Sequence, residues 1–534
     1  MALESCGTSF DAHGLFLIYG SPFFYAAIFA GLLLLVILNR KKLRASFSRV
    51  NKKYYVVLIA VFLLALWLRA PRLYTPHETL ASAWEYVQGA KFLASDGTLQ
   101  RCEYGSFNDC LCPSLVSHPA GISFLLSAVF FLFGANMSYL AFLQFLGGGL
   151  AAVAIFFLSY SLTKDEKASI LSSFFIAALP LHITYSVTTE GFLSTLSALF
   201  TILYFIFFLH ALKEKTRRSY ALAAFACAAL LALKMEYLMY IPVSVLLYFH
   251  VRGFKRETLH KLRAGISSNR VTLLVASALA TAPVSVFVRF WVIGGYAYSS
   301  FRLSYLPSSL YRFVINAESL LMPWLLLFVF CVPLLLVSKA SRRLSAALYA
   351  WFLVPIAFFA FFVYGPSGRY LVPISIPFAL VLGLGTSHVA MQLGKARHVV
   401  MVAIPATLLL FSQSIPPWAS GAVKMSDVLT LMEAAPDSSV FVVPCMNTVW
   451  AIQSFDSNVT TVPFLYMPNL HADSFYFLYT DRCAGKQYSE ICSYLANVGE
   501  MVSRSGGARL YLIRPSSEQR EGLTELHEKY KAFF

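Results

Sequence analysis

A chain of 534 residues, 58% hydrophobic and 16% aromatic but only 13% charged, reads as a polytopic membrane protein. A soluble fold of that length has too little interior to hide so much apolar surface. The formal net charge of +16 falls mostly in short clusters between apolar runs, where topology and anionic headgroups account for it. No basic domain with interleaved aromatics is present, and the sequence reads against nucleic-acid binding.

In chain order, apolar segments long enough to be candidate spans run near 16–38, 54–70, 138–162, 168–187, 192–212, 220–233, 237–251, 271–293, 319–337, 345–364, 370–391 and 397–414. The first lacks a basic stretch before its apolar core and runs into the basic loop Arg40 to Lys53. It therefore reads as an uncleaved helix rather than a signal peptide. Further basic clusters, Lys213 to Arg218, Arg252 to Arg270, Lys339 to Arg343 and Lys395 to Arg397, fall between runs as cytoplasmic loops should. One more apolar run, Gly121 to Gly134, is short for a span. If it crossed the bilayer, the clusters at 213–218, 252–270 and 339–343 would all become external, so it is predicted to lie on the membrane surface. The count is then about twelve transmembrane helices, with both termini outside.

After Ser414 the composition changes, and Pro416, Pro417 and Trp418 mark the exit from the membrane. Ser439 to Pro444 and Arg509 to Arg514 are short β-type runs, whereas Lys424 to Ala435 and Tyr488 to Arg504 have helical periodicity. The expected organisation is an N-terminal transmembrane helix and cytoplasmic basic loop over 1–53, a membrane domain over 54–414 with its first outer loop at 71–137, and a small extracytoplasmic α/β domain over 415–534.

Cys102, Cys110 and Cys112 lie in the first outer loop, and Cys445, Cys483 and Cys492 in the tail. Clustering in outer segments fits an oxidising compartment. Cys483 with Cys492, and Cys102 with either Cys110 or Cys112, are the disulfide candidates. The Cys110-x-Cys112 pair also offers two metal ligands, but no second pair at zinc-site spacing accompanies it. Asn136-Met137-Ser138 and Asn458-Val459-Thr460 match the N-glycosylation sequon.

The face opposite the basic loops carries Glu78, Glu190, Lys234, Glu236 and Arg369 at or beside the ends of apolar segments. Glu78 follows Pro76-His77 at the head of an amphipathic stretch that contains Glu85, and His118-Pro119-Ala120-Gly121 leads into the surface helix. Thr189-Glu190-Gly191-Phe192 and Arg369-Tyr370-Leu371-Val372-Pro373 each enter a later helix. In this order, over about 54–414, these stretches resemble the GT-C superfamily of membrane glycosyltransferases, in particular the branch of the protein O-mannosyltransferases and lipid A aminoarabinose transferases. That branch has an acidic pair, usually Asp-Glu, in the first outer loop; here His77 stands in the Asp position and Glu78 in the Glu position. The Trp-Trp-Asp-Tyr-Gly signature of oligosaccharyltransferases is absent from the sequence.

The resemblance implies a GT-C-like membrane enzyme of the cell membrane, multi-pass, with its active face extracytoplasmic. It would move a sugar from a polyprenyl-phosphate donor to a protein, lipid or glycan acceptor. Inverting transfer needs a base for the acceptor hydroxyl and positive charge at the departing phosphate. Glu78 is the candidate base, with Glu190 as second catalytic carboxylate and Glu85 next in line. Arg369, Lys234 and Tyr370 are the donor-phosphate candidates. His77 and His118 are candidate phosphate or metal ligands, and Glu236 is the candidate partner of Lys234. A divalent cation, held by Glu78, His118 and Glu190, is the one cofactor this set would admit. Structural readings compete: Glu78 and Glu190 would each favour a helix N-terminus, Arg369 would anchor at the headgroups, and Lys234 with Glu236 would form a plain ion pair. A transporter or flippase for a lipid-linked sugar, or a non-catalytic protein of the same fold, are the alternative functions.

The alternation of basic clusters generates a test of topology. A cysteine introduced within 252–270 is expected to resist impermeant thiol reagents in intact cells, and one at Ser367 to react. The reverse labelling pattern would overturn the assignment of faces.

Overall fold

The computed structural model describes residues 2–3, 10–70, 81–103, 110–116, 118–135, 137–187, 192–253, 270–289, 302–337, 342–363, 366, 368–393, 399, 403–407, 409–410, 425–436, 439–444, 448–449, 452, 459–464, 467, 470–484 and 488–531. Most of them are helical. By length and composition five helices among the described residues can cross a membrane, or six if the bent pair Glu166–Ala178 and Pro180–Val187 is one span. Where other spans are expected the helices are shorter or interrupted. They are Lys52–Arg69, Arg217–Leu233, Tyr240–Arg252, Arg270–Leu279 with Thr281–Phe287, and Trp324–Val337.

Local sequence sets several of these boundaries. Asp165 accepts hydrogen bonds from the backbone N–H groups of Lys167 and Ala168 and starts the helix Glu166–Ala178, while Thr216 and Ser219 cap the helix Arg217–Leu233 reciprocally. Asn51 caps Lys52–Arg69 through Lys53. At Leu179 the chain turns extended ahead of Pro180, which has no N–H to continue the ladder, and the span bends by 51°. At Lys234 it turns extended again, followed by the 3₁₀ turn Met235–Met239.

Helix Val372–Gln392 runs through the middle of the bundle, buried along nearly its whole length and packed on Glu166–Ala178. The two ends of the bundle are sorted by contact. Segments expected on the inner face meet one another: Lys42 pairs with Glu214 at 3.6 Å, and the Asn51 N–H donates to Glu166 at 2.6 Å. At the other end Leu99 N–H donates to the Ile18 carbonyl at 3.0 Å, and Arg289 pairs with Asp11 at 2.9 Å. There Ala2–Leu3 also pairs antiparallel with Leu470–His471, joining the first residues to the tail.

The tail contains a five-stranded sheet in the order Thr460–Pro463, Val440–Val443, Phe475–Tyr479, Ala508–Ile513, Glu500–Ser505. Val440–Val443 is parallel to both its neighbours, and the last two pairings are antiparallel. One sheet face, with Val440, Val442, Phe475, Phe477 and Ile513, packs on Ser489–Val498 and on Leu523 of Ser517–Lys531. The continuous helix read from Tyr488 to Arg504 is corrected: the helix stops at Val498, Gly499 is extended, and Glu500–Ser505 is an edge strand. That strand is largely exposed, so no buried alternation announces it.

The opposite sheet face is not closed by the tail alone. Phe441, Val443, Leu478 and Leu510 belong to one buried cluster with Val428 and Leu431 and with Tyr86, Val87, Ile122 and Leu126 of the first outer loop. This continuity predicts that residues 420–534 expressed alone will keep the Cys483–Cys492 disulfide and mixed α/β circular dichroism, yet bind an apolar dye that the full chain does not. An isolated tail that stays monomeric and dye-free would show that the shared cluster is dispensable.

Candidate functional site

The outer-loop helix Ala81–Ser95 carries Glu85 and Tyr86, both buried among the described residues. Beside it lies the antiparallel pair Gln100–Cys102 and Pro113–Leu115, with Arg101 opposite Ser114. The Cys102–Cys110 disulfide closes this loop, which decides between the two partners expected for Cys102, and Cys112 is disulfide-bonded as well. These bonds remove the Cys110-x-Cys112 metal reading, since a disulfide sulfur is no thiolate ligand. Cys483–Cys492 forms as expected.

Glu85 binds two side chains at once, Arg101 Nη1 at 3.1 Å on one oxygen and His118 Nδ1 at 3.0 Å on the other, with only 1% of its side chain exposed. Arg101 reaches on to Glu103 and Ser114, each at 2.9 Å, and the Cys102 N–H donates to Gln88 Oε1 at 2.9 Å. A carboxylate so held is an anchor that locks helix, strand pair and the His118-Pro119 segment together. Glu85 also orients His118. Because the carboxylate accepts, His118 Nδ1 carries the proton.

Tyr86, the next residue on the helix, was missed from sequence. Its ring lies 5.6 Å from that of His118. Burial pushes the Tyr86 phenol well above the ordinary range, the Glu85 and Glu236 carboxylates push it further, and Arg369 opposes them. The phenol is therefore protonated, and the charges of Glu236 and Arg369 both act on it.

Lys234 and Glu236 occupy the break between helices Arg217–Leu233 and Tyr240–Arg252, and they pair at 3.5 Å, as read from sequence. The Lys234 ammonium also stands 5.1 Å from the centre of the Tyr370 ring. Arg369 lies 5.2 Å from the same ring, on the 3₁₀ turn Gly368–Leu371 that enters helix Val372–Gln392. Two cations thus share one aromatic ring, which Phe359 also contacts at 4.7 Å. Close by, a Cβ added at Gly368 would come within 2.5 Å of the Tyr185 hydroxyl, so helix Pro180–Val187 abuts the Arg369 turn.

The structure therefore brings Lys234, Glu236, Arg369, Tyr370, Tyr86, Glu85 and His118 to one end of the bundle. His77, Glu78 and Glu190 lie outside the described residues, as do Asn136, Asn458, Cys6 and Cys445. Among the described residues no group of three His, Cys, Asp or Glu side chains is arranged to hold a metal ion.

Residues 117–288 match the family model described as dolichyl-phosphate-mannose-protein mannosyltransferase. Among solved structures, the chain is similar to ArnT from Cupriavidus metallidurans bound to undecaprenyl phosphate, at 13% identity and a TM-score of 0.58. That match covers 86% of this chain and 97% of the other. It is also similar to the oligosaccharyltransferase AglB from Archaeoglobus fulgidus, in complex with an inhibitory peptide and a dolichol-phosphate, at 14% identity and a TM-score of 0.56, covering 81% of this chain and 70% of that one. The chain has the fold of the GT-C membrane glycosyltransferases. Comparison with curated protein sequences finds no match. At such low identity the likeness is carried by the course of the helices, and the roles of individual residues have to be argued from their surroundings.

The Glu85 anchor yields a stability prediction. Removing one partner of a buried pair strands the other, so Glu85→Ala is expected to cost about 3–5 kcal/mol. Arg101→Met added to Glu85→Ala should recover part of that loss, read as the melting temperature of the purified protein. Strict additivity of the two changes would mean that the pair contributes nothing specific.

Proposed function

We infer that this chain is an integral-membrane glycosyltransferase that moves a sugar from a polyprenyl-phosphate donor to a hydroxyl acceptor on the extracytoplasmic face, with inversion. The observation that carries the reading is the convergence of Lys234 and Arg369 on Tyr370, at the starts of two helices and at one end of the bundle. Two cations clustered beside partly shielded walls suit a phosphate that gains negative charge as the sugar leaves. The lipids named with the ArnT and AglB structures, undecaprenyl phosphate and a dolichol-phosphate, support a lipid-phosphate ligand for the same fold.

In the proposed reaction Glu78 takes the proton of the acceptor hydroxyl. The oxygen attacks the anomeric carbon from the face opposite the phosphate, the old carbon–oxygen bond breaks, and its electron pair leaves on the phosphate oxygen. Arg369 and Lys234 bind that phosphate, with the Tyr370 ring holding both cations in place. Glu190 binds sugar hydroxyls or acts as the second carboxylate. Glu236 balances Lys234, and protonated Tyr86 is a donor towards the same space. A divalent cation at Glu78, Glu190 and His118 would add positive charge there.

The pairing of Ala2–Leu3 with Leu470–His471 supports an even number of crossings, because both ends must then lie on one side. Twelve crossings meet that parity, with Gly121–Phe133 on the surface and the tail outside the cytoplasm. A transporter of the same lipid would bind it and transfer nothing.

The test is transfer from radiolabelled polyprenyl-phosphate sugars to cell-envelope acceptors by purified protein. Glu78→Gln should lower turnover by roughly 10²–10⁴ with donor binding retained, whereas Arg369→Ala should weaken binding of the lipid phosphate. Wild-type turnover in Glu78→Gln would move the base elsewhere, with Glu190 next. Binding without transfer by the wild type would favour the transporter.

A further inference from the structure

Arg69 is the last residue of helix Lys52–Arg69 and stands just ahead of the segment that carries His77 and Glu78. It is completely buried. A guanidinium can only donate, and the described acceptors come from both halves of the bent span. Nη1 donates to the Ala177 carbonyl at 2.9 Å, at the end of Glu166–Ala178, and to the Ala65 carbonyl of its own helix at 2.7 Å. Nε donates to the Ser186 hydroxyl at 2.7 Å, and Nη2 to His182 Nδ1 at 2.9 Å, both on helix Pro180–Val187. Accepting at Nδ1 keeps His182 neutral, with its proton on Nε2. The break at Leu179-Pro180 leaves carbonyls at a helix C-terminus without intrahelical donors, and a cation there answers both the missing bonds and the helix dipole. Gly148 makes the approach possible: a Cβ there would lie 2.7 Å from Arg69 Nε and 2.9 Å from Ser186 Cβ.

We propose that Arg69 is a positioning residue, whose guanidinium fixes the bend of the span 166–187 and thereby sets the spacing between the end of helix Lys52–Arg69 and the half-helix Pro180–Val187. Helix Pro180–Val187 abuts the turn Gly368–Leu371 through Tyr185. The role in transfer rests on the glycosyltransferase reading, but the tie itself is a property of the fold.

The experiment uses the full chain in lipid nanodiscs and two variants. Arg69→Lys keeps the charge and loses the fork; Gly148→Ala displaces the guanidinium without changing it. Three quantities are measured: undecaprenyl-phosphate affinity, kcat and KM of transfer, and hydrogen exchange by mass spectrometry. In both variants kcat is expected to fall about a hundredfold while KM and lipid affinity stay within about twofold, the pattern of misplaced rather than missing groups. Exchange over 60–70 and 180–187 should quicken together, with 217–233 unchanged. Unaltered exchange in both segments overturns the proposal, whatever the activity. So does a fall in kcat matched by lost lipid affinity, which would make Arg69 a phosphate ligand instead. A wild type that neither binds nor transfers, in variants of which the paired exchange change persists, overturns the transfer reading and upholds the tie.

Discussion

Backbone polar groups freed where a helix breaks inside an apolar bundle have no water to turn to, and the polar residues of this molecule are arranged around that constraint. Two breaks matter. At Leu179-Pro180 the freed carbonyl of Ala177 accepts from Arg69. At Lys234 the chain turns extended, and the polar side chains Lys234 and Glu236 occupy the gap. A straight helix at either place would need no charge, and a charge at either place without a break would be a cost with no return. The breaks and the buried ionisable residues therefore explain each other.

From the two breaks the candidate site follows. The bend at Pro180 carries Tyr185 against Gly368, and the gap at Lys234 brings an ammonium to the Tyr370 ring that Arg369 already faces. Neither cation is anchored on a long loop; each sits at the end of a packed helix, where small errors of position are least. A site for a phosphate group benefits from that rigidity, since donors fixed in advance need no reorganisation when charge develops.

The outer layer is built differently. Glu85, held between Arg101 and His118, cross-links a helix, a strand pair and the entry to Gly121–Phe133, and the Cys102–Cys110 disulfide closes the strand pair. Ile122 and Leu126 then share a buried cluster with Phe441 and Leu510 of the tail sheet. The tail sheet thus packs on the first outer loop.

Much of this was legible in the residues themselves. Apolar run lengths and the spacing of basic clusters give a helical membrane protein with two distinct faces, because hydrophobic thickness and headgroup charge act on local sequence. The Lys234–Glu236 pair and the Cys483–Cys492 bond were within reach because their members are two and nine residues apart. Arg69 with His182, Glu85 with Arg101, and Tyr86 beside His118 were not. Their partners are separated by stretches of chain whose folding no local pattern records, and a buried arginine at a helix end has the same sequence signature as one at the membrane surface. The sequence by itself determined that the chain is helical and apolar, with its basic residues in clusters between the apolar runs. Only the tertiary structure decided which charges meet each other, because that depends on where helices bend and on gaps such as Gly148 that let a side chain through.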